Sequence, residues 1–275
     1  MGVRRHCHPQ LKAEADRHRL RRGGDRRGPG CTFDPPGDEA ATQVLDQHRR
    51  PGGGRGPGLS RRCRIADSFP EGAVAHLRAA DPVLREVIDA VEASGAESHQ
   101  RPHPPDHYGA LVRSIVGQQL STKAASAIYL RLTEFFGGRT PTPAELLVAD
   151  PEQMRAAAGL SRAKVSFLRS LAEHVEQGEL ELERFDTMAE ADIEAELVAV
   201  RGIGTWTVHM FLIFQLQRPD VLAWGDLGIR AAVKRWWELD ELPSCVQLEA
   251  LSEPWRPWRT LACRYLWRAL DATPA

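Results

Sequence analysis

The stretch VRGIGTWTVHMFLIF, residues 200–214, places two glycines directly before an almost wholly apolar run. Gly202 and Gly204 permit a positive φ, so the stretch predicts a tight turn between a helix that ends at Val200 and a second that starts near Thr205. Backbone N–H groups at the start of such a helix lie uncovered and can bind an anion, most often a phosphate. A plain helical hairpin without a ligand would show the same two glycines. We expect the apolar helix to be buried and to hold the turn rigid.

A single acid, Asp226 in AWGDLGIR, follows this region and precedes another helical pattern. A helix N-cap is the expected structural role of an aspartate at this position, and the positive end of the helix dipole stabilises its carboxylate. An anion repels phosphate, so Asp226 is a poor residue for holding a phosphate ligand. It is a good residue for facing a cation that develops during a reaction.

The composition is typical of a globular protein. The chain has 275 residues, of which 42% are hydrophobic and 27% charged, as in ordinary soluble domains. The longest apolar run, residues 206–216, contains His209 and Gln215 and is too short to cross a bilayer. No signal segment opens the chain, so we expect a cytoplasmic protein with no membrane partner. The five cysteines have no metal-like spacing, which favours free thiols.

The charge divides the chain into two parts. Residues 1–64 carry 15 Lys/Arg and 7 Asp/Glu, a balance of +8, whereas the remaining residues carry 21 basic and 30 acidic residues, a balance of −9. The first part is rich in Gly, Pro and Arg and poor in apolar residues, so we expect a disordered basic tail. This tail could be an arm that binds nucleic acid, a solvated segment, or upstream sequence translated from a wrongly chosen start.

From Ile65 onward the apolar residues recur at helical spacing almost throughout. In DPVLREVIDAVEA an aspartate cap and a proline precede Val83, Val87, Ile88 and Val91, which we expect to be buried. Alternating strand patterns are scarce, and no internal repeat is evident. The pattern predicts an all-α domain over residues 65–275, with about ten helices joined by short loops.

Four stretches, in this order along the chain, resemble the helix-hairpin-helix (HhH-GPD) superfamily of base-excision DNA glycosylases. They cover about residues 70–270 and read ALVRSIVGQQLSTKAA, GLSRAKVSFLRSLAE, LVAVRGIGTWTVHMFLIFQLQRPDVLAWGDLGIR and WRPWRTLACRYLWRAL. Within the superfamily the chain is most similar to the short, all-helical members of the DNA-3-methyladenine glycosylase II branch. The resemblance implies that residues 65–275 form two helical subdomains flanking a DNA-binding cleft.

The resemblance also assigns roles to the turn and the acid. It makes Asp226 the catalytic carboxylate, and it makes Gly202 and Gly204 the hairpin that binds a DNA phosphate. Hairpin carbonyls of the family hold a monovalent cation, so a structural K⁺ or Na⁺ is expected at the backbone oxygens of Val198, Val200 and Ile203. No other cofactor is required.

An enzyme that works on a base must take it out of the helical stack, which requires a wedge and a pocket. Gln119 matches the wedge position of related enzymes, with Leu120 as the neighbouring candidate. A glutamine that merely caps a helix is the alternative. Trp206, Met210 and Trp267 match positions of the base pocket, where indole rings would favour positively charged alkylated purines. Core packing is the alternative for each tryptophan, and Met210 stands where a relative has tyrosine.

The implied function is hydrolysis of the N-glycosidic bond of alkylated purines, of the 3-methyladenine type, in double-stranded DNA with damaged bases. The enzyme would be monofunctional, because Trp206 occupies the position at which strand-cutting relatives have a lysine. We expect a monomer that associates with the nucleoid. Two alternatives remain, a glycosylase for oxidised or mismatched bases and a non-catalytic helix-hairpin-helix module. Trp206 and the lack of a four-cysteine cluster weigh against the first, and Asp226 weighs against the second.

Overall fold

A computed structural model describes residues 65–95, 104 and 106–270 of the chain, so the predictions for residues 1–64 lie outside the described part. Every regular element in the described ranges is helical, which confirms the all-α prediction. The described residues form twelve α-helices where the sequence predicts about ten, together with short 3₁₀ helices at Ile65–Ser68, Leu182–Asp186 and Glu253–Trp255. None of the described helices is long and apolar enough to span a membrane.

The α-helices are numbered here in chain order. They are α1 (Ala73–Ala80), α2 (Pro82–Ala93), α3 (His107–Gly117), α4 (Thr122–Phe135), α5 (Pro143–Val148), α6 (Pro151–Ala158), α7 (Arg162–Glu176), α8 (Glu190–Ala199), α9 (Thr205–Phe214), α10 (Leu227–Trp236), α11 (Cys245–Ser252) and α12 (Arg259–Ala269). They form two compact units. The described residues 65–95 and 226–270 belong to the first unit, and residues 106–225 belong to the second.

In the first unit, α12 packs against α1, α2 and α10. Its neighbour α2 begins where the sequence predicts, because Asp81 accepts hydrogen bonds from the backbone N–H groups of Val83 (2.8 Å) and Leu84 (3.1 Å). The buried stripe of α2 is Leu84, Val87, Ile88 and Val91. The expectation of a buried Val83 is wrong. Val83 is half-buried, because it points about 100° away from its neighbour Leu84 and so lies at the edge of the stripe.

In the second unit, α3 packs against α4, α7 and α9 and is the central helix. The sequence predicts its core residues correctly, since Leu111, Val112, Ile115 and Val116 are all buried. Around this centre α5 packs on α7, α6 packs on α4, and α8 packs on α9. The arrangement joins the end of α3 to the turn between α8 and α9, where several candidate site residues lie.

Candidate active site

Asp226 is the N-cap of α10, as its sequence position predicts. Its backbone is extended (φ −79°, ψ 124°), and its Oδ1 atom accepts a hydrogen bond from the backbone N–H of Ile229 at 3.0 Å. The residue is 8% exposed, so the carboxylate lies in a largely dry environment where its charge acts strongly. This first-unit residue therefore combines a capping role with the burial that an electrostatic catalyst needs.

A second donor reaches the same oxygen from α12. The indole Nε1 of Trp267 donates a hydrogen bond to Asp226 Oδ1 at 2.9 Å, and Trp267 is itself buried. Gly228 leaves room for this pair, because a Cβ atom there would lie 3.0 Å from Asp226 Oδ1 and 3.4 Å from Trp267 Cδ1. Two donors at one oxygen fix the orientation of the carboxylate. The base-pocket role of Trp267 stays a prediction, and orienting Asp226 is a task that the sequence did not reveal.

Asp81 offers a comparison within the same unit. It too is a buried N-cap with a tryptophan partner, since Trp255 Nε1 donates to it at 3.1 Å. At Asp81, however, Oδ1 caps the helix and Oδ2 receives the indole, so the two tasks fall on different oxygens. At Asp226 both donors converge on Oδ1. The two aspartates are thus similar enough in setting for Asp81 to serve as a control.

The turn between α8 and α9 contains Gly202 at a φ of +89°, as predicted. The ring of Phe167, from α7, covers this glycine so closely that a Cβ atom would lie 2.1 Å from Phe167 Cγ. Ile203 closes the turn with a backbone hydrogen bond to the Val200 carbonyl at 3.0 Å. Only glycine fits at position 202, for both conformational and steric reasons.

Gly204 has a negative φ, unlike Gly202. It is the N-cap of α9 with φ −106° and ψ 169°, the extended conformation usual for an N-cap. Apart from Gly204 and its two chain neighbours, no heavy atom of the described chain lies within 4 Å of the position of a Cβ atom there. No side chain caps α9, so Gly204 exposes the first amides of the helix to an approaching anion.

The carbonyl groups expected to hold a cation lie at the end of α8 and in the turn. Val198 belongs to the last turn of α8, where carbonyls have no N–H donor within the helix. Val200 and Ile203 follow in the turn itself, and the Val200 carbonyl also accepts the N–H of Ile203. Neutral backbone oxygens suit K⁺ or Na⁺. These three carbonyl oxygens are therefore suitable ligands for a monovalent cation. The presence of a cation stays a prediction.

Gln119 lies in the turn between α3 and α4 with a φ of +56°, which is unusual for a residue other than glycine. Its side chain is exposed, and that of Leu120 is half-buried. Both neighbouring helix ends have other capping residues, because Gln118 is the C-cap of α3 and Ser121 caps α4. Gln119 therefore caps neither helix, and the alternative that it is merely a capping residue is wrong. Strained backbone is frequent at functional sites, and the wedge role of Gln119 stays a prediction.

This turn is tied directly to the hairpin. The side-chain Nε2 of Gln118 donates a hydrogen bond to the Gly202 carbonyl at 2.8 Å and another to Thr207 Oγ1 at 3.3 Å. Lys164 of α7 contacts the end of α3, since its Nζ donates a hydrogen bond to the Val116 carbonyl at 2.8 Å. Burial lowers the pKa of the Lys164 ammonium group. Sequence reasoning missed these links, although GLSRAKVSFLRSLAE and GQQLS contain all three contributing residues, Gln118, Lys164 and Phe167.

Trp206 and Met210 lie one helical turn apart on α9. Trp206 is 41% exposed and Met210 is half-buried, whereas Val208, Phe211 and Leu212 of the same helix are buried. An aromatic and a thioether side chain thus share the less buried face of a helix whose start is the hairpin. This position is compatible with the base-pocket role, which stays a prediction.

The contact between Trp267 and Asp226 leads to a first test. Replacing Trp267 with phenylalanine keeps an aromatic ring and removes the N–H donor, so we expect single-turnover base excision to slow about tenfold. The thermal midpoint should fall by a few degrees, because the smaller ring leaves a cavity and the buried carboxylate loses a donor, so rates are compared per folded molecule. If Trp267 orients the carboxylate, the loss will be similar for every lesion. A change confined to some lesions, with others excised at the normal rate, would contradict that role and indicate a pocket residue.

Comparisons with known proteins agree with this geometry. Residues 112–257 match the sequence profile of the HhH-GPD superfamily base excision DNA repair proteins. DNA-3-methyladenine glycosylase 1 of Schizosaccharomyces pombe is 37% identical over 163 residues, which span 58% of this chain and 71% of that protein.

Two solved structures are similar as well. The S. pombe 3-methyladenine DNA glycosylase in complex with abasic DNA superposes with a TM-score of 0.65 at 32% identity, covering 74% of this chain and 98% of that one. A DNA-3-methyladenine glycosidase from Bacillus halodurans gives a TM-score of 0.62 at 37% identity, covering 72% and 88%. With its glycine hairpin, its buried N-cap aspartate and these similarities, the chain belongs to the HhH-GPD superfamily of base excision DNA repair proteins.

Proposed function

We propose that this protein hydrolyses the N-glycosidic bond of alkylated purines, of the 3-methyladenine type, in double-stranded DNA. The observation that carries the proposal is the buried Asp226 carboxylate, whose Oδ1 is held by the N–H groups of Ile229 and Trp267. The names of the relatives support the substrate class, because the similar proteins from S. pombe and B. halodurans are 3-methyladenine glycosylases.

The reaction needs an anion that faces the sugar. When the bond between C1′ and the base nitrogen breaks, the electron pair leaves with the base and positive charge develops on the sugar ring. Asp226 stabilises that charge, and its fixed orientation means that no reorganisation is needed as the charge forms. Water then attacks C1′, and its proton passes to Asp226 and on to solvent. The products are the free base and an abasic site.

Recognition uses residues of the second unit. The flipped base stacks near Trp206 and Met210, where the indole face attracts a positively charged methylated purine by about 0.5–2 kcal/mol. Gln119, with Leu120 beside it, fills the space that the base leaves in the duplex. The left-handed backbone of Gln119 and its exposed side chain support this role.

The hairpin holds the DNA backbone. The amides after Gly202 and Gly204 bind one phosphate, and a K⁺ or Na⁺ at the carbonyls of Val198, Val200 and Ile203 would add positive charge there. The open space at Gly204 supports this contact. It also explains how a chain with a net charge of −1 can bind a polyanion, because the backbone amide dipoles of the hairpin attract the phosphate whatever the net charge of the protein. We further propose that the enzyme acts as a monomer on nucleoid DNA.

The enzyme should be monofunctional. Trp206 occupies the position at which strand-cutting relatives have a lysine, and the Lys164 ammonium donates to the Val116 carbonyl instead. Incubation with methylated duplex should therefore release free base and leave the strand intact. Nicks should appear only after hot alkali, and borohydride should trap no protein–DNA adduct. Strand cleavage at neutral pH or a trapped adduct would refute hydrolysis by water as the mechanism.

A further inference from the structure

A groove of about 510 Å³ lies beside the hairpin in the second unit. Its walls come from α6, α7 and residue 201, and they include four arginines, Arg155, Arg162, Arg169 and Arg201, against two glutamates. This local excess of positive charge stands out, because residues 65–275 carry 21 basic and 30 acidic side chains. A concave surface concentrates such a field and attracts anions.

The exposure and the partners of the arginines indicate how much positive charge the groove can offer to a ligand. Glu152 is already paired, since it accepts Arg155 Nε at 2.8 Å and lies 3.6 Å from Arg162 Nε. The Arg162 side chain is nevertheless 84% exposed. Arg201 is exposed and forms no ion pair with any residue that the structure describes. Arg169 Nη1 donates to the Leu147 carbonyl at 3.0 Å, so Arg162 and Arg201 are the two guanidinium groups most available to a ligand.

Glu173 opposes this charge at one end only. It lies eleven residues after Arg162 on α7, a distance of about 16 Å at 1.5 Å per residue. That distance exceeds the screening length of about 8 Å at physiological salt. The end of the groove near Arg162 therefore keeps a net positive charge, because Arg155 and Arg162 stand there against Glu152 alone.

The groove and the hairpin share one helix and one turn. Phe167 of α7 covers Gly202, while Arg162, Ser166 and Arg169 of the same helix line the groove. Arg201 immediately precedes Gly202 and stands three residues before Gly204. Three extended residues span at most about 11 Å, a separation of up to about three nucleotides along the axis of a duplex, where each strand rises about 3.4 Å per nucleotide.

We infer that this groove is a second DNA-binding site, which takes the phosphodiester backbone a few nucleotides from the phosphate at the hairpin. Guanidinium groups suit this ligand because they form paired hydrogen bonds with phosphate oxygens. The contact is independent of base sequence and of the lesion. It contributes affinity rather than chemistry. The inference rests on the proposed action on DNA, but it concerns binding alone.

The test is a salt titration of binding to an undamaged 24-base-pair duplex. The double variant Arg162→Ala/Arg201→Ala should bind about tenfold more weakly at low salt, and the slope of log K against log salt concentration should shrink by nearly 2. Arg184→Ala is the matched control, because Arg184 is an exposed arginine of the same unit outside the groove, 3.7 Å from Glu181. It should match the wild type.

Single-turnover excision at saturating enzyme should be unchanged in the double variant. Unaltered affinity and slope would overturn the groove assignment, and so would weaker binding with an unaltered slope, because a lost phosphate contact must change the slope. Failure of the proposed function would give a different result from failure of the groove assignment. In that case the wild type would release no methylated base, whereas binding to undamaged duplex would still report on the groove.

Discussion

Asp226→Asn is expected to slow base excision by at least about 10²-fold while leaving the binding of lesion DNA intact or tighter. The amide oxygen can still accept the hydrogen bonds from Ile229 and Trp267 that the carboxylate oxygen accepts at 3.0 and 2.9 Å. The cap therefore survives, and only the charge facing the sugar is lost. Single-turnover release of methylated base measures the effect, and the thermal midpoint checks the fold.

Asp81→Asn is the control for this prediction. It removes a carboxylate charge from another buried N-cap with a tryptophan donor, in the same unit. If loss of a buried charge slowed the enzyme through the fold, both variants would lose activity together. Because Oδ1 and Oδ2 of Asp81 each accept a hydrogen bond, one donor will face the asparagine NH2 group, so Asp81→Asn should be less stable than Asp226→Asn. We nevertheless expect it to keep near-normal excision per folded molecule. Near-normal excision by Asp226→Asn would rule out its catalytic assignment.

The second large effect is expected at Gly202. Alanine there meets a φ of +89° and a Cβ position 2.1 Å from Phe167 Cγ, so either the ring or the turn must move. Left-handed backbone and overpacking together cost about 2–4 kcal/mol of folding stability. The thermal midpoint of Gly202→Ala should fall by several degrees, and DNA affinity should fall because the hairpin is displaced.

Gly204→Ala separates binding from folding. Its φ of −106° suits any residue, and no heavy atom of the described chain beyond its two chain neighbours lies within 4 Å of the Cβ position. The thermal midpoint should therefore stay normal. DNA affinity should still fall, because the methyl group occupies the space through which a phosphate reaches the amides of α9. Normal affinity of Gly204→Ala would show that no backbone phosphate binds at this turn.

The sequence predicts the local features of the site and misses those that depend on distant contacts. The cap at Asp226, the turn at Gly202 and the buried faces of α3 and α9 follow from spacing and helix-end chemistry within a few residues. The role of Trp267 does not, because its hydrogen bond joins residues 41 positions apart. Composition alone favours a tryptophan in the core, and only the packing of α12 on α10 brings its N–H to Asp226.

The turn at Gln119 shows the same limit. GQQLS indicates a helix end, but nothing in its spacing tells which glutamine points outward. The structure has Gln118 bonded to the Gly202 carbonyl and leaves Gln119 exposed in a left-handed conformation. The hydrogen bond spans 84 positions. The sequence also leaves open which of Gly202 and Gly204 has the positive φ, since a glycine permits a positive φ without requiring it.

The most direct test of the central claim is a panel of duplexes, each with one defined lesion, under single-turnover conditions. It should include 3-methyladenine, 7-methylguanine, hypoxanthine, 8-oxoguanine and an undamaged mismatch, and the released bases should be separated by chromatography. We expect the wild type to release methylated purines fastest, to act weakly on hypoxanthine, and to leave 8-oxoguanine and the mismatch intact. Failure to release any methylated purine, or preferred release of 8-oxoguanine, would contradict the assignment of this enzyme to alkylated bases.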